Sequence, residues 1–165
     1  MPEAATSESE DAVQQMWQAF RHGTGTEAGL VSAFSFGDSP AMADELAHLV
    51  VDGPKRATAG LLLEFERDGE PVPRPGDHSI ILDGRGHPVC VIRTTVVQTK
   101  PLNQVDAAFA WDEGEGDRSL AWWQRAHRRY FTRQCDRLGV PFTEDLAVVL
   151  ERFEVVWPQP TTSPE

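Results

Sequence analysis

From Val89 to Gln98 the chain alternates without a break. Val89, Val91, Arg93, Thr95 and Val97 fall on one side, and Cys90, Ile92, Thr94 and Val96 on the other. Successive side chains of a strand point to opposite faces, so a run this rich in β-branched residues belongs in a sheet. Ser79 to Leu82 is a compact apolar run just before it, and Asp83-Gly84-Arg85-Gly86 supplies the turn residues between the two. The pair predicts a hairpin. Val148 to Trp157 alternates again, with Phe153, Val155 and Trp157 on one face, and is expected to close the same sheet. A shorter alternation, Val31 to Phe36, stops at Gly37.

Helical periodicity occupies most of the remainder. Val13, Met16, Trp17 and Phe20 make one face of a helix from about Glu10 to His22. Asp38 or Ser39 caps a second helix with Pro40 in its first turn, and its stripe Met42, Leu46, Leu49 and Val50 runs into Gly53. Leu61 to Glu66 reads as helix or strand, helix being favoured, and a short helix is expected around Val105 to Trp111. The longest helix runs from Ser119 to Leu138, capped by Asp117 and ended by Gly139 and Pro141. Helices interleaved with strands that pair out of sequence order predict an α+β, barrel-like architecture. Residues 10–157 are expected to form one domain, between a disordered acidic segment 1–9 and a flexible tail 158–165.

With 165 residues, 40% apolar and 25% charged, the chain can bury a core of ordinary size. Its formal charge of −11 repels nucleic acid and anionic membranes, so a polyanion would have to meet a local basic patch. No apolar run is long enough to span a membrane, and no signal-peptide pattern precedes the first helix. Cys90 and Cys135 sit in apolar patterns far apart, as buried thiols of a reducing, cytoplasmic protein would. There is no zinc spacing, no phosphate-binding Gly-rich loop with Lys-Ser/Thr, no dinucleotide fingerprint and no Gly-x-Ser-x-Gly elbow. Neither a metal nor a cofactor is expected.

Three features could carry chemistry. The stretch Gly53-Pro54-Lys55-Arg56-Ala57-Thr58-Ala59-Gly60 follows the second helix. Gly53 suits a left-handed helix end, Pro54 prevents continuation, and Thr58 suits an N-cap, which would put Lys55 on a stiff connection between helices. Such a lysine is either a poised reactant or anion ligand, or a solvated linker residue. The long helix has a core stripe of Leu120, Trp123, His127, Phe131, Cys135 and Leu138. It also carries Arg125, Arg129 and Arg133 at four-residue spacing, with Arg128 beside them and Arg118 a turn earlier. These arginines read as a phosphate-positioning patch, with Trp122 or Tyr130 as stacking surfaces, or as a face neutralised by the chain's own acids. His127 reads as a buried ring with a satisfied nitrogen, or as a catalytic group if the stripe faces a cleft. Glu113-Gly114-Glu115-Gly116-Asp117 puts carboxylates on a Gly-rich loop at a helix start, either as acid/base groups or as a complement to the helix dipole.

Gly53-x-Lys55-x-x-Thr58 resembles the Gly-x-Lys-x-x-Thr signature of ASCH domains. The resemblance extends through Phe36-Gly37-Asp38-Ser39-Pro40, Gly76-Asp77, Glu113 to Leu120, and Glu151 to Val156, and covers about Ser32 to Trp157. It implies a PUA-like β-barrel with surrounding helices and an RNA-related role. The activities it implies are cleavage of single-stranded RNA, or amide hydrolysis of N4-acetylcytidine-type nucleosides as in very small members. By this resemblance Lys55, Thr58 and Glu115 are the candidate catalytic residues, with Glu113 as the fallback carboxylate. Thr58 would be the nucleophile and Lys55 its base. Gly53, Arg56, Arg118, Ser119, Arg125 and Arg129 are candidate contacts to RNA or a modified nucleoside. A binding module without chemistry is the third reading. The chain departs from the small members by its N-terminal helices, its longer Glu-Gly loop, and Gly60 where the signature usually has Arg.

Overall fold

A computed structural model describes residues 7–158. Five strands form one mixed sheet in the order β1-β3-β4-β5-β2, with β1 and β2 as its edges. They are β1 (Leu30–Phe34), β2 (Ala57–Leu61), β3 (His78–Leu82), β4 (Pro88–Pro101) and β5 (Ala147–Trp157). The helices are α1 (Ser7–Thr24), α2 (Pro40–Val51), α3 (Leu62–Asp68), α4 (Ala107–Glu113) and α5 (Leu120–Leu138). The residues gather into two compact units. One takes the chain up to Gly53, Gly76–Thr94 and the residues from Phe153 onward, and the other takes Pro54–Pro75 and Thr95–Arg152.

In the first unit β3 pairs parallel with β1 and antiparallel with β4. Alternation along β3 and β4 sorts the apolar residues between two clusters. Ile80 and Val91 pack with Val13, Trp17 and Phe20 of α1. Ile81, Cys90 and Ile92 pack with Phe36, Phe153 and the α2 residues Leu46, Ala47 and Val50. Ser39 caps α2, its hydroxyl accepting from the Met42 amide at 3.2 Å, with Pro40 opening the first turn.

In the second unit β2 pairs antiparallel with β5, Thr58 opposite Glu151 and Ala59 opposite Leu150. Ala57, Leu61, Phe109, Trp123, Phe131, Cys135, Val148 and Leu150 make its core. The apolar stripe expected on the long helix is the face α5 buries there, centred on Trp123, His127, Phe131 and Cys135.

Several local expectations need correction. Helix α1 begins at Ser7, so Ser7, Glu8 and Ser9 are helical rather than disordered, and Ser9 is buried. Residues 1–6 and 159–165 lie outside the described residues. Gly53 is not in the left-handed region. Helix α2 stops two residues earlier with Asp52 as its cap, and a Cβ on Gly53 would sit 2.8 Å from the Leu49 carbonyl oxygen. Thr58 caps no helix; it lies within β2. Ala-Thr-Ala-Gly-Leu has little intrinsic strand preference, and pairing with β5 decides its conformation. Asp117 is not the cap of α5. Ser119 is, its hydroxyl accepting from Trp122 N at 3.1 Å, while Asp117 Oδ1 accepts from Ser119 N at 2.8 Å. The helix expected at Val105–Trp111 runs instead from Ala107 to Glu113, capped by Asp106 and preceded by a single 3-10 turn at Leu102–Gln104.

Candidate functional site

The second unit brings one buried ionic cluster together from three places in the sequence. Lys55 lies on the connection leading into β2, Glu113 at the last residue of α4, Glu115 on the loop leaving it, and His127 on the core face of α5. Two contacts hold the end of α4 beside the residue that follows the lysine and beside β5. Arg56 N donates to Asp112 O at 2.8 Å, and Arg152 Nε reaches Asp112 Oδ2 at 2.9 Å. Gly114 lies against the Lys55 backbone in the left-handed region (φ 69°), where an added Cβ would be 2.7 Å from Lys55 N. A side chain at that position would push the carboxylates away from the lysine, so glycine is what the close approach requires.

Lys55 is 1% exposed. Its ammonium donates to Ala57 O at 2.7 Å and to Glu115 Oε2 at 3.2 Å, and lies 3.5 Å from Glu113 Oε1. The other oxygen of Glu113, Oε2, accepts from His127 Nε2 at 3.0 Å and from the indole N–H of Trp123. His127 Nδ1 is 2.9 Å from Trp123 O, and its ring stacks on the Trp123 indole with centroids 4.0 Å apart. Both ring nitrogens therefore face acceptors, which only the doubly protonated imidazolium satisfies. The acid strengths follow from this wiring. Burial alone would raise Glu113, but His127 and Lys55 together override it and hold its carboxyl at about 2. Burial would lower His127, yet the Glu113 carboxylate raises it above its ordinary value. Burial raises Glu115, and Lys55 only partly offsets the effect. The two carboxylates thus differ in kind. Glu113 is a locked anion with both oxygens engaged; Glu115, its side chain 16% exposed, is the one able to exchange a proton.

Glu113, Glu115 and His127 each offer a donor atom within 4.8 Å of the others, the spacing of ligands around a cation. The Lys55 ammonium lies within 3.5 Å of both carboxylates and supplies positive charge at that point itself.

The other sequence candidates divide. Thr58 is half-buried on β2, and no hydrogen bond joins it to Lys55 or Glu115. Arg56 turns its guanidinium back onto Lys55 O at 2.6 Å. Gly60 carries the Phe65 ring, 3.2 Å from where a Cβ would be, so the larger side chain usual at this signature position would displace that ring. Arg118 N closes a turn onto Glu115 O at 2.9 Å, and Ser119 starts α5. Arg125 and Arg129 are exposed on α5, away from its buried stripe, and Arg128 is paired with Glu144. Trp111, unmarked by any sequence motif, is 56% exposed with the Arg118 guanidinium stacked 3.6 Å above its ring. Glu113 is only the fallback carboxylate in sequence, because no spacing rule links a carboxylate at the end of one helix to a histidine on another. A His directly one turn after a Trp on a core stripe was the available signal.

A family model described as ASCH domain matches residues 32–157. Among solved structures, the chain is similar to an ASCH domain from Lactobacillus crispatus JV V101, with 36% identity and a TM-score of 0.80 over 94% of this chain and 98% of that one. It is also similar to a protein from Enterococcus faecalis V583, with 34% identity and a TM-score of 0.82 over 88% of each chain. No curated protein matches.

Proposed function

Because this chain belongs to the ASCH domain family, we propose that it is a hydrolase acting on an amide of a nucleoside-type substrate, with Lys55, Glu115 and Thr58 as its reacting groups. The observation that carries this reading is the Lys55–Glu115 pair: an ammonium 1% exposed, 3.2 Å from a carboxylate whose acidity burial has weakened. A carboxylate that can take and return a proton beside a fixed cation is an acid/base pair. Lys55 is hemmed in by Ala57 O and two carboxylates, which favours stabilising an oxyanion over accepting a proton. The base role therefore passes to Glu115. In this scheme Thr58 Oγ1 bonds to the amide carbonyl carbon while Glu115 takes its proton. Lys55 faces the oxyanion as it forms. The C–N bond then breaks as Glu115 returns the proton to the leaving amine, and water releases the acyl group from Thr58. The setting is the cytoplasm, where Cys90 and Cys135 would remain the buried thiols they are here.

Release of cytidine from N4-acetylcytidine tests this directly. Wild-type protein at micromolar concentration is expected to turn the substrate over, and Lys55→Ala to give background only. No turnover by the wild type would overturn the reading.

One observation favours a second reading, single-stranded RNA binding with cleavage. Arg125 and Arg129 stand exposed along α5 in a chain of net charge −11. Against cleavage at the Lys55 cluster stands the presence of two carboxylates around the cation that would meet the phosphodiester. Labelled single-stranded RNA, incubated with wild type and Lys55→Ala, separates the two. Cleavage lost in the variant supports this second reading, and equal background rejects it.

A further inference from the structure

Arg118 is the sole non-glycine with positive φ among the described residues, at 66°. That conformation is sterically unfavourable for a side-chain-bearing residue, and here it aims the guanidinium outward over Trp111. The placement is fixed twice. Arg118 Nε donates to Trp111 O at 2.9 Å, and the guanidinium carbon lies 3.6 Å from the indole ring centroid. Nε being used, the two Nη groups make no hydrogen bond or ion pair among the described residues. Beneath them Trp111 is 56% exposed, while Trp17 and Trp123 are buried. The same short turn carries Glu115, since Arg118 N donates to Glu115 O at 2.9 Å. Gly116 lets that turn pack against Trp122, where a Cβ would overlap the indole. One loop therefore sends Glu115 inward to Lys55 and Arg118 outward.

We infer that Arg118 and Trp111 form a phosphate-and-base clamp, so that a nucleotide is held more tightly than the free nucleoside. A guanidinium held over the ring by its Nε, with both Nη groups making no hydrogen bond or ion pair among the described residues, has the fork that phosphate oxygens match. The guanidinium covers one face of the indole, and with Trp111 still 56% exposed the opposite face is the one on which a base would stack. This rests on the nucleoside-directed reading above and adds the phosphate, whose source is either a free mononucleotide or a strand of RNA.

The test is calorimetric titration of cytidine, cytidine 5′-monophosphate and a cytidine trinucleotide into wild type and two variants. Wild type is expected to bind both phosphate-bearing probes about tenfold or more tighter than cytidine, as one charge-assisted contact provides. Whichever of the two binds tighter identifies the source. Arg118→Gly suits the backbone conformation, so the variant is expected to melt no lower than wild type while the preference falls to about one. Trp111→Ala keeps the carbonyl that holds Arg118 and is expected to weaken cytidine and its monophosphate alike, by about tenfold. A wild type without preference, or an Arg118→Gly protein that keeps it, overturns the clamp. Unchanged binding by Trp111→Ala overturns the base platform. Hydrolysis of N4-acetylcytidine without any phosphate preference rejects this inference alone; phosphate preference without hydrolysis rejects the hydrolase reading alone.

Discussion

Glu113 is buried with every oxygen engaged, so its charge is a structural commitment and a measurable one. Its carboxyl is held at about 2 against an ordinary 4.5. A depressed folded value means stability that is present above about 4.5 and lost as the pH falls toward 2. His127, raised in the folded protein, contributes in the opposite sense: fully below its ordinary value of 6.5, and lost as the pH rises through its folded value. Melting temperatures from neutral pH down to acid are expected to fall steeply for wild type. Glu113→Gln breaks a buried pair and is expected to cost roughly 3–5 kcal/mol at neutral pH. Its acid limb should also flatten. A Glu113→Gln profile parallel to wild type would show that Glu113 does not set the acid response. These roles were illegible in the sequence for a physical reason: burial, not residue type, separates the two glutamates of Glu-Gly-Glu.

At the scale of elements, the loop between α4 and α5 does the positioning, and its Gly114 is unlike Gly139, which follows α5 outside that loop. Gly114→Ala adds both backbone strain and a methyl 2.7 Å from Lys55 N. It is expected to destabilise by more than the roughly 1–2 kcal/mol of the conformation alone and to lower turnover with it. Gly139→Ala, at the end of α5 with φ 71° and open space around it, is expected to cost about 1 kcal/mol and leave turnover unchanged. Equal turnover loss in the two variants would mean that the loop does not hold the cluster. Long periodic elements were readable from sequence because their pattern repeats: α5 with its buried stripe, and the β3–β4 hairpin. Strand β2 was not, since four small residues and one leucine acquire their conformation from β5. Thr58, whose residue type suits a helix cap, therefore lies in a strand instead.

Across the whole molecule, the sheet and its helices answer to the α+β expectation, and no helix among the described residues is long and apolar enough to cross a membrane. Net charge frames the RNA question. In a chain of charge −11, any binding to single-stranded RNA should depend on few cationic contacts, so its log affinity should fall with log salt by only about 0.7 per contact. Arg125→Ala and Arg129→Ala are each expected to reduce the slope of log affinity against log salt by about 0.7. Slopes identical to wild type would remove both arginines from the interface. The central claim concerns Glu115, and one measurement reaches it most directly: the rate of cytidine release from N4-acetylcytidine by wild type and Glu115→Gln, each confirmed folded by its melting temperature. The account predicts turnover by wild type and a fall of about 10²–10⁴-fold in the variant. Equal rates in the two folded proteins would contradict it.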